Sequence, residues 1–138
     1  MHRIILFLLL TSYSFGQNYW QQEANYKIFV DMNVKNNRYK GNQEIIYTNN
    51  SNDTLNKIFI HLYFNAFKAS SDMAERLVSG DDINTRFDIN LKELKSEEEG
   101  YLNVFNLKQD NTDVESFVSD TILEVTLANP LVPGQTSI

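Results

Sequence analysis

The sequence lacks several residue types on which common protein chemistries depend. Its 138 residues contain no cysteine, which excludes a disulfide framework, a thiolate zinc site, a cysteine nucleophile and a lipid-bearing N-terminal cysteine. The two histidines, His2 and His61, lie far apart, so the sequence does not predict a histidine-rich metal site in this chain. Prolines number two and glycines five, which is few for a sequence that is typical of short strands.

Charge and composition narrow the functional classes further. Eighteen acidic residues outweigh twelve basic ones, which gives a net charge of −6. No basic stripe is present, so we do not expect nucleic acid as a partner. The chain is 42% hydrophobic and 22% charged, values that are typical of one globular domain rather than of a disordered or multi-spanning chain.

The N-terminal residues have the three-part form of a secretory signal peptide. A short positive start, Met1 to Arg3, precedes the apolar run 4–10 and a polar stretch that places Ser14 and Gly16 before a cleavage site. Seven apolar residues span roughly 10 Å as a helix, against a hydrocarbon core of about 30 Å, so a stable membrane span is not expected. The sequence therefore predicts a signal peptide over 1–16 and a secreted or periplasmic domain over 17–138.

The first part of that domain predicts a β-hairpin. Apolar residues alternate with polar ones over 26–34, which favours a strand with one buried face. Asn36 and Asn37 tolerate the positive φ of a tight turn, and a second strand follows over 38–48. Gly41 in that strand indicates a bulge or a close approach of another backbone.

Further strands surround one long excursion. Residues 55–64 are apolar on both faces, which is typical of a central or doubly covered strand, with Phe64 in the core. Residues 68–100 predict an excursion with one short helix, in which Asp72 and Glu75 form a capping box and Gly80 ends the helix. Strands are expected again over 101–107, 114–118 and 122–127, and another opens at 135–138. The fold class is therefore mostly β, an antiparallel sandwich or saddle-like sheet with one long, partly helical excursion, incomplete at its C-terminus.

Candidate chemistry within the chain is thin. His61 lacks an obvious catalytic partner and is more typical of a hydrogen-bonded residue in the core or between layers. The acidic run 97–99 does not have the spacing of a calcium loop and indicates a solvated turn. Tyr63 and Phe67 are the candidate residues for a domain interface or a recognition surface. No catalytic, cofactor-binding or metal-binding residue is predicted.

The order of the segments resembles the N-terminal region of the aminopeptidase N-like zinc metallopeptidases, the gluzincins of peptidase family M one. The likeness covers nearly all of residues 19–138. It rests on four stretches: the opening Tyr-Trp-Gln-Gln at 19–22, Ile-Phe-Ile-His-Leu-Tyr-Phe-Asn-Ala-Phe at 58–67, Glu-Gly-Tyr at 99–101 with the following residues to 109, and 121–127 with Pro-Leu-Val-Pro-Gly-Gln at 130–135.

The resemblance implies a β-rich domain that packs on a zinc-dependent catalytic domain of the same parent chain and helps to enclose its peptide substrate. The His-Glu-x-x-His zinc motif of that family is absent here, so zinc is implied for the parent enzyme and not for this segment. A second hypothesis stays open: a free-standing secreted β-sandwich that binds a partner through Tyr63, Phe67 and the excursion.

Overall fold

The structure, a computed structural model, describes residues 19–79 and 90–138. The predicted signal peptide and the predicted helix stop at Gly80 lie outside the described residues. The described part contains eight strands, one α-helix and two 3-10 helices, and all of its strand pairs are antiparallel. The predicted mostly β fold is confirmed. Within the same residues, no helix is long and apolar enough to cross a membrane.

The first sheet is built on a long hairpin. Strand β1 (Glu23–Asn33) pairs with β2 (Arg38–Thr48) over its full length, and the turn between them uses Asn37 at φ 53°. The strand that was expected at 135–138 forms as β8 (Thr136–Ser137), which pairs with the last two residues of β2. The hairpin predicted from alternation is therefore confirmed, together with the asparagine in its turn.

The prediction that β1 buries one face is wrong. Its apolar residues do share a face with those of β2, because directly opposed residues of an antiparallel pair lie on the same side. Yet Tyr26, Ile28, Val30 and Met32 remain 55–60% exposed. Alternation establishes which side chains point the same way, whereas burial needs a second layer, and no described residue buries this face.

The second sheet holds the core of the protein. Its strands are β3 (Leu55–His61), β6 (Glu115–Ser119) and β7 (Ile122–Leu131), in the order β3-β7-β6. Leu62, Leu123 and Val125 are buried together, with Ile58, Ile60 and other apolar residues packed against them. β7 alternates inward apolar with outward polar residues, which is why the apolar core lies on one side of the sheet only.

Two predictions about residues 55–64 are wrong. β3 is an edge strand of its sheet and not a central one. The backbone N–H of Leu62 still donates to the carbonyl of Thr121, in line with the β3–β7 register. The strand ends because the chain then turns into a 3-10 helix, Tyr63–Phe67. Phe64, expected in the core, lies on that helix and is 51% exposed.

Residues 101–107 do not form the predicted strand. The backbone N–H of Leu102 donates to the side-chain oxygen of Asn65 at 2.9 Å, so a side chain takes the place of a neighbouring strand. A small hairpin follows, β4 (Lys108–Gln109) and β5 (Thr112–Asp113), with Asp110 and Asn111 at positive φ in its turn. The two turn residues are of the types that tolerate this backbone conformation.

The predicted helix is present, with a different cap. Helix α1 (Asp72–Ser79) begins after Ser71, whose hydroxyl accepts the backbone N–H of Ala74 at 3.1 Å. Ser71 therefore caps the helix, in place of the predicted box of Asp72 and Glu75. A second 3-10 helix, Leu91–Glu93, buries Leu91, and Ala74 of α1 is fully buried. The excursion is thus anchored at both of its described ends.

A buried polar junction ties the two larger sheets together. Asn49, directly after β2, is fully buried, and its side-chain amide donates to the carbonyl oxygens of Asp53 and Leu131 at 2.7 and 2.8 Å. Its backbone binds the approach to β8, with the Asn49 N–H donating to Gln135 and its carbonyl accepting from Gly134. One residue thus links the end of β2 to the start of β3 and the end of β7 through its side chain, and to the segment before β8 through its backbone.

Candidate functional site

The structure places Tyr63 and Phe67 on the same 3-10 helix, in different surroundings. Tyr63 is 72% exposed, and its ring stacks on the ring of His61 with a centroid distance of 5.0 Å and an interplanar angle of 9°. Phe67 is 37% exposed and packs against Gly100, where an added Cβ would approach the Phe67 Cβ to 3.0 Å. Tyr63 therefore offers most of its ring to a partner, while Phe67 also holds the excursion to the helix.

This helix is fixed in place by Asn65, which is 1% exposed. Its side-chain nitrogen donates to the carbonyl of Asp120 at 3.1 Å, while its oxygen accepts from Leu102. The asparagine therefore links the helix to the turn before β7 and to the end of the excursion. The 3-10 helix that carries Tyr63 and Phe67 is therefore held by a buried asparagine whose side-chain nitrogen and oxygen are both hydrogen-bonded.

His61 does not occupy the buried, hydrogen-bonded position expected for it. It ends β3 on the outer side of the sheet, where its side chain is exposed and stacks on Tyr63. Within the described residues, no group of three or more histidine, aspartate or glutamate side chains is arranged to hold a metal ion. The described geometry therefore makes His61 one half of an exposed aromatic stack.

The outer face of the second sheet carries two further aromatic residues. Phe59 of β3 and Phe117 of β6 both lie opposite Glu124 of the central strand β7, and they are 63% and 67% exposed. Glu124 also forms an ion pair with Lys57 on the same face. We call the set of Phe59, His61, Tyr63 and Phe117 the outer aromatic face.

Sequence reasoning missed Phe59 and Phe117 as surface residues. The apolar pattern of 55–64 indicated two covered faces. In a strand, Phe59, His61 and Tyr63 lie on one face and Ile58 and Ile60 on the other, and both faces are largely apolar. The sequence signal for an exposed face lies in β7, where the polar residues Glu124 and Thr126 alternate with apolar ones. This signal applies to Phe59 only once β3 is known to pair with β7.

A second exposed apolar surface lies on the β1–β2 hairpin. It consists of Tyr26, Ile28, Val30 and Met32 of β1 with Tyr39 and the half-buried Ile45 of β2, and we call it the hairpin face. At its turn end, the ring of Tyr39 contacts Phe64 edge to face at a centroid distance of 6.2 Å. On the opposite side of β2, the Arg38 guanidinium lies 4.8 Å from the centre of the Tyr101 ring. The hairpin is thus held at its tip by aromatic contacts on both sides.

The apolar residues of these surfaces are aligned rather than scattered. A monomeric soluble protein rarely exposes contiguous apolar patches of more than a few hundred Å², and larger ones mark contacts with other proteins or domains. Here the exposed residues are aligned along strands, in two patches on two sheets. The arrangement can support docking against a partner surface.

Comparison of the chain with protein-family models, with curated proteins and with solved structures gave no match.

Proposed function

We propose that this chain is the non-catalytic N-terminal domain of a secreted zinc-dependent aminopeptidase, which packs on the catalytic domain of the same parent chain. The observation that carries the proposal is the pair of exposed apolar surfaces, the outer aromatic face and the hairpin face, on a chain with a formed core. The resemblance of its segment order to the aminopeptidase N-like family supplies the kind of partner.

The zinc and the catalytic groups belong to the parent enzyme in this proposal. A zinc aminopeptidase uses a metal-bound water, with a carboxylate as general base, to attack the first peptide bond. The part contributed by this domain is to cover one side of the catalytic cleft and to stabilise the catalytic domain. Tyr63 and Phe67 are the residues that we assign to the interface.

A second candidate is a free-standing secreted binding module. The stacked pair of His61 and Tyr63 favours it, because a largely exposed aromatic ring held in a fixed orientation is a typical platform for a flat ligand. In that case the ligand would contact Tyr63 directly, and no zinc or peptidase activity would accompany the protein.

The full secreted protein tests the two candidates. We expect one zinc ion per chain by elemental analysis, and release of the chromophore from aminoacyl-4-nitroanilides. The variant His61→Ala should keep its zinc, because His61 is not a zinc ligand in this proposal. A protein that contains no zinc and cleaves no peptide would refute the aminopeptidase proposal, and loss of zinc in His61→Ala would refute the assignment of zinc to another domain.

A further inference from the structure

The outer edge of β1 has no partner strand among the described residues. β1 (Glu23–Asn33) pairs with β2 on one edge only, because the first sheet has the order β1-β2-β8. The strand is 11 residues long, and every residue in it except Ala24 is exposed. We call its free side the open β1 edge. A long unpaired strand is a template for another strand, and proteins normally shorten, interrupt or cover such an edge.

The backbone groups on the open β1 edge belong to the even-numbered residues. The carbonyl oxygen of Phe29 lies against Gly41 of β2, so the backbone of Phe29 faces β2. Because backbone groups alternate between the two edges of a strand, the other odd-numbered residues of β1 face β2 as well. The N–H and C=O groups on the open β1 edge are therefore those of Tyr26, Ile28, Val30 and Met32. A strand added there would bond to the residues whose side chains form the hairpin face.

The other face of β1 carries charges that are complementary to a second copy of the same strand. Lys27 and Asp31 flank Phe29 on this face, and the Lys27 ammonium lies 5.6 Å from the centre of the Phe29 ring. A two-fold axis through Phe29 places Lys27 of each copy opposite Asp31 of the other. An axis shifted by one residue places both charges opposite uncharged residues, and a shift by two residues places like charges opposite each other. Charge complementarity therefore selects the axis through Phe29.

Strand β2 extends the same charge pattern. Glu44 lies opposite Lys27, and Lys40 lies opposite Asp31. With the axis through Phe29, Glu44 and Lys27 of one copy are followed across the sheet by Asp31 and Lys40 of the other. The signs alternate over all four strands, and the axis repeats the row. Opposite charges on directly opposed residues stabilise a strand pair, so both rows favour this register.

We propose that the open β1 edge is a dimer interface, at which a second copy of this chain adds its own β1 antiparallel about a two-fold axis through Phe29. Backbone hydrogen bonds join Ile28 to Val30 and Tyr26 to Met32 of the second copy. The two three-stranded sheets become one sheet, and the two hairpin faces become one continuous apolar surface. The dimer goes beyond the proposed function and requires neither zinc nor peptidase activity.

Disulfide trapping tests the position of the axis in the full secreted protein. In the dimer, Phe29 lies opposite its own copy in a pair without backbone hydrogen bonds, where the Cα atoms are about 4.5 Å apart, within the range that a disulfide bridges. We expect oxidation to convert most of the Phe29→Cys variant into a covalent dimer. Phe59→Cys is the matched control, because Phe59 is also 63% exposed on an edge strand, and it should stay largely uncrosslinked. Equal crosslinking of the two variants, or none in Phe29→Cys, would overturn the inference.

A mixed pair of variants tests the register independently. Lys27→Cys and Asp31→Cys should each fail to crosslink alone, because the two identical positions lie four residues apart along the strands, about 13 Å. A mixture of the two variants should crosslink after the subunits exchange, because position 27 of one copy is opposite position 31 of the other. Self-crosslinking of either variant that matches the mixture would refute this register.

The charges are tested by analytical ultracentrifugation of the full secreted protein over a range of concentrations. Lys27→Glu places like charges opposite Asp31 twice, so we expect the dimer dissociation constant to rise about tenfold. Lys95→Glu has the same charge change at an exposed residue away from β1 and should leave the constant unchanged. A monomer at every concentration, or equal weakening by both variants, would overturn the inference. Zinc and activity on the same preparation separate this failure from failure of the proposed function, since an active monomer refutes the dimer alone.

Discussion

Replacing Asn49 with alanine should destabilise the protein more than any substitution at an exposed asparagine. The Asn49 side chain makes two donor bonds, to the carbonyl oxygens of Asp53 and Leu131, and its oxygen accepts from the hydroxyl and N–H of Ser51 and from the side chain of Gln22. Alanine removes all of these bonds, and the Asp53 carbonyl then keeps only the Ser51 hydroxyl as a donor.

The size of the effect follows from the cost of buried polar groups. Each lost hydrogen bond contributes about 1 kcal/mol net, and each buried group left without a partner costs about 1–3 kcal/mol. We therefore expect Asn49→Ala to lower the free energy of unfolding by about 3–5 kcal/mol, a large share of the 5–15 kcal/mol typical of a domain. In urea this corresponds to a midpoint shift of roughly 2 M.

The assay is urea unfolding followed by far-ultraviolet circular dichroism. Asn52→Ala is the matched control, because Asn52 is exposed in the same turn and should change stability by less than about 0.5 kcal/mol. Asn49→Asp should regain part of its stability at low pH, where the protonated acid recovers one donor. A loss below about 1 kcal/mol in Asn49→Ala would refute the view that this junction holds the two sheets together.

Three further substitutions test other parts of the structure. Gly41→Ala should lower stability by about 1–3 kcal/mol, because an added Cβ would collide with the carbonyl oxygen of Phe29, and a thermal scan that shows no change would contradict this close approach. Asn65→Ala should cost about 2–4 kcal/mol and increase hydrogen exchange at the Leu102 amide, which loses its acceptor, so unchanged exchange there would argue against the contact. Burial, with a smaller contribution from the charge of a neighbouring tyrosine, raises the pKa of Tyr47 above its usual value of 10.0. The stabilisation from neutral Tyr47 is therefore complete below about pH 10 and is lost as the pH rises through the pKa of Tyr47 in the folded protein. Tyr47→Phe should flatten the decline in the free energy of unfolding at alkaline pH. An unchanged decline would refute the raised pKa of Tyr47.

Local patterns predicted the elements of this fold better than they predicted its surfaces. Alternation over 26–34, the paired asparagines and the next alternating run defined the first hairpin, because strand period and turn chemistry are properties of neighbouring residues. Burial depends on what packs against an element. The hairpin face and Phe64 were therefore expected inside and lie outside, and residues 101–107 pair with the side chain of Asn65 in place of a strand.

The candidate site was predictable only in part. Tyr63 and Phe67 were selected from the sequence, and the structure places Tyr63 on the surface with most of its ring exposed. Phe59 and Phe117 could not be found without the β3-β7-β6 order, since only that order places both rings opposite Glu124. His61 was expected inside because its neighbours in the sequence are apolar. It lies at the exposed end of β3, where its ring stacks on the ring of Tyr63.

The most direct test of the central claim is to read the coding sequence downstream of Ile138 in the source DNA. A non-catalytic N-terminal domain of the family that the sequence resembles predicts an in-frame continuation with a His-Glu-x-x-His motif roughly 200 residues further on. A stop codon directly after Ile138, with a stable secreted monomer as its product, would contradict the account.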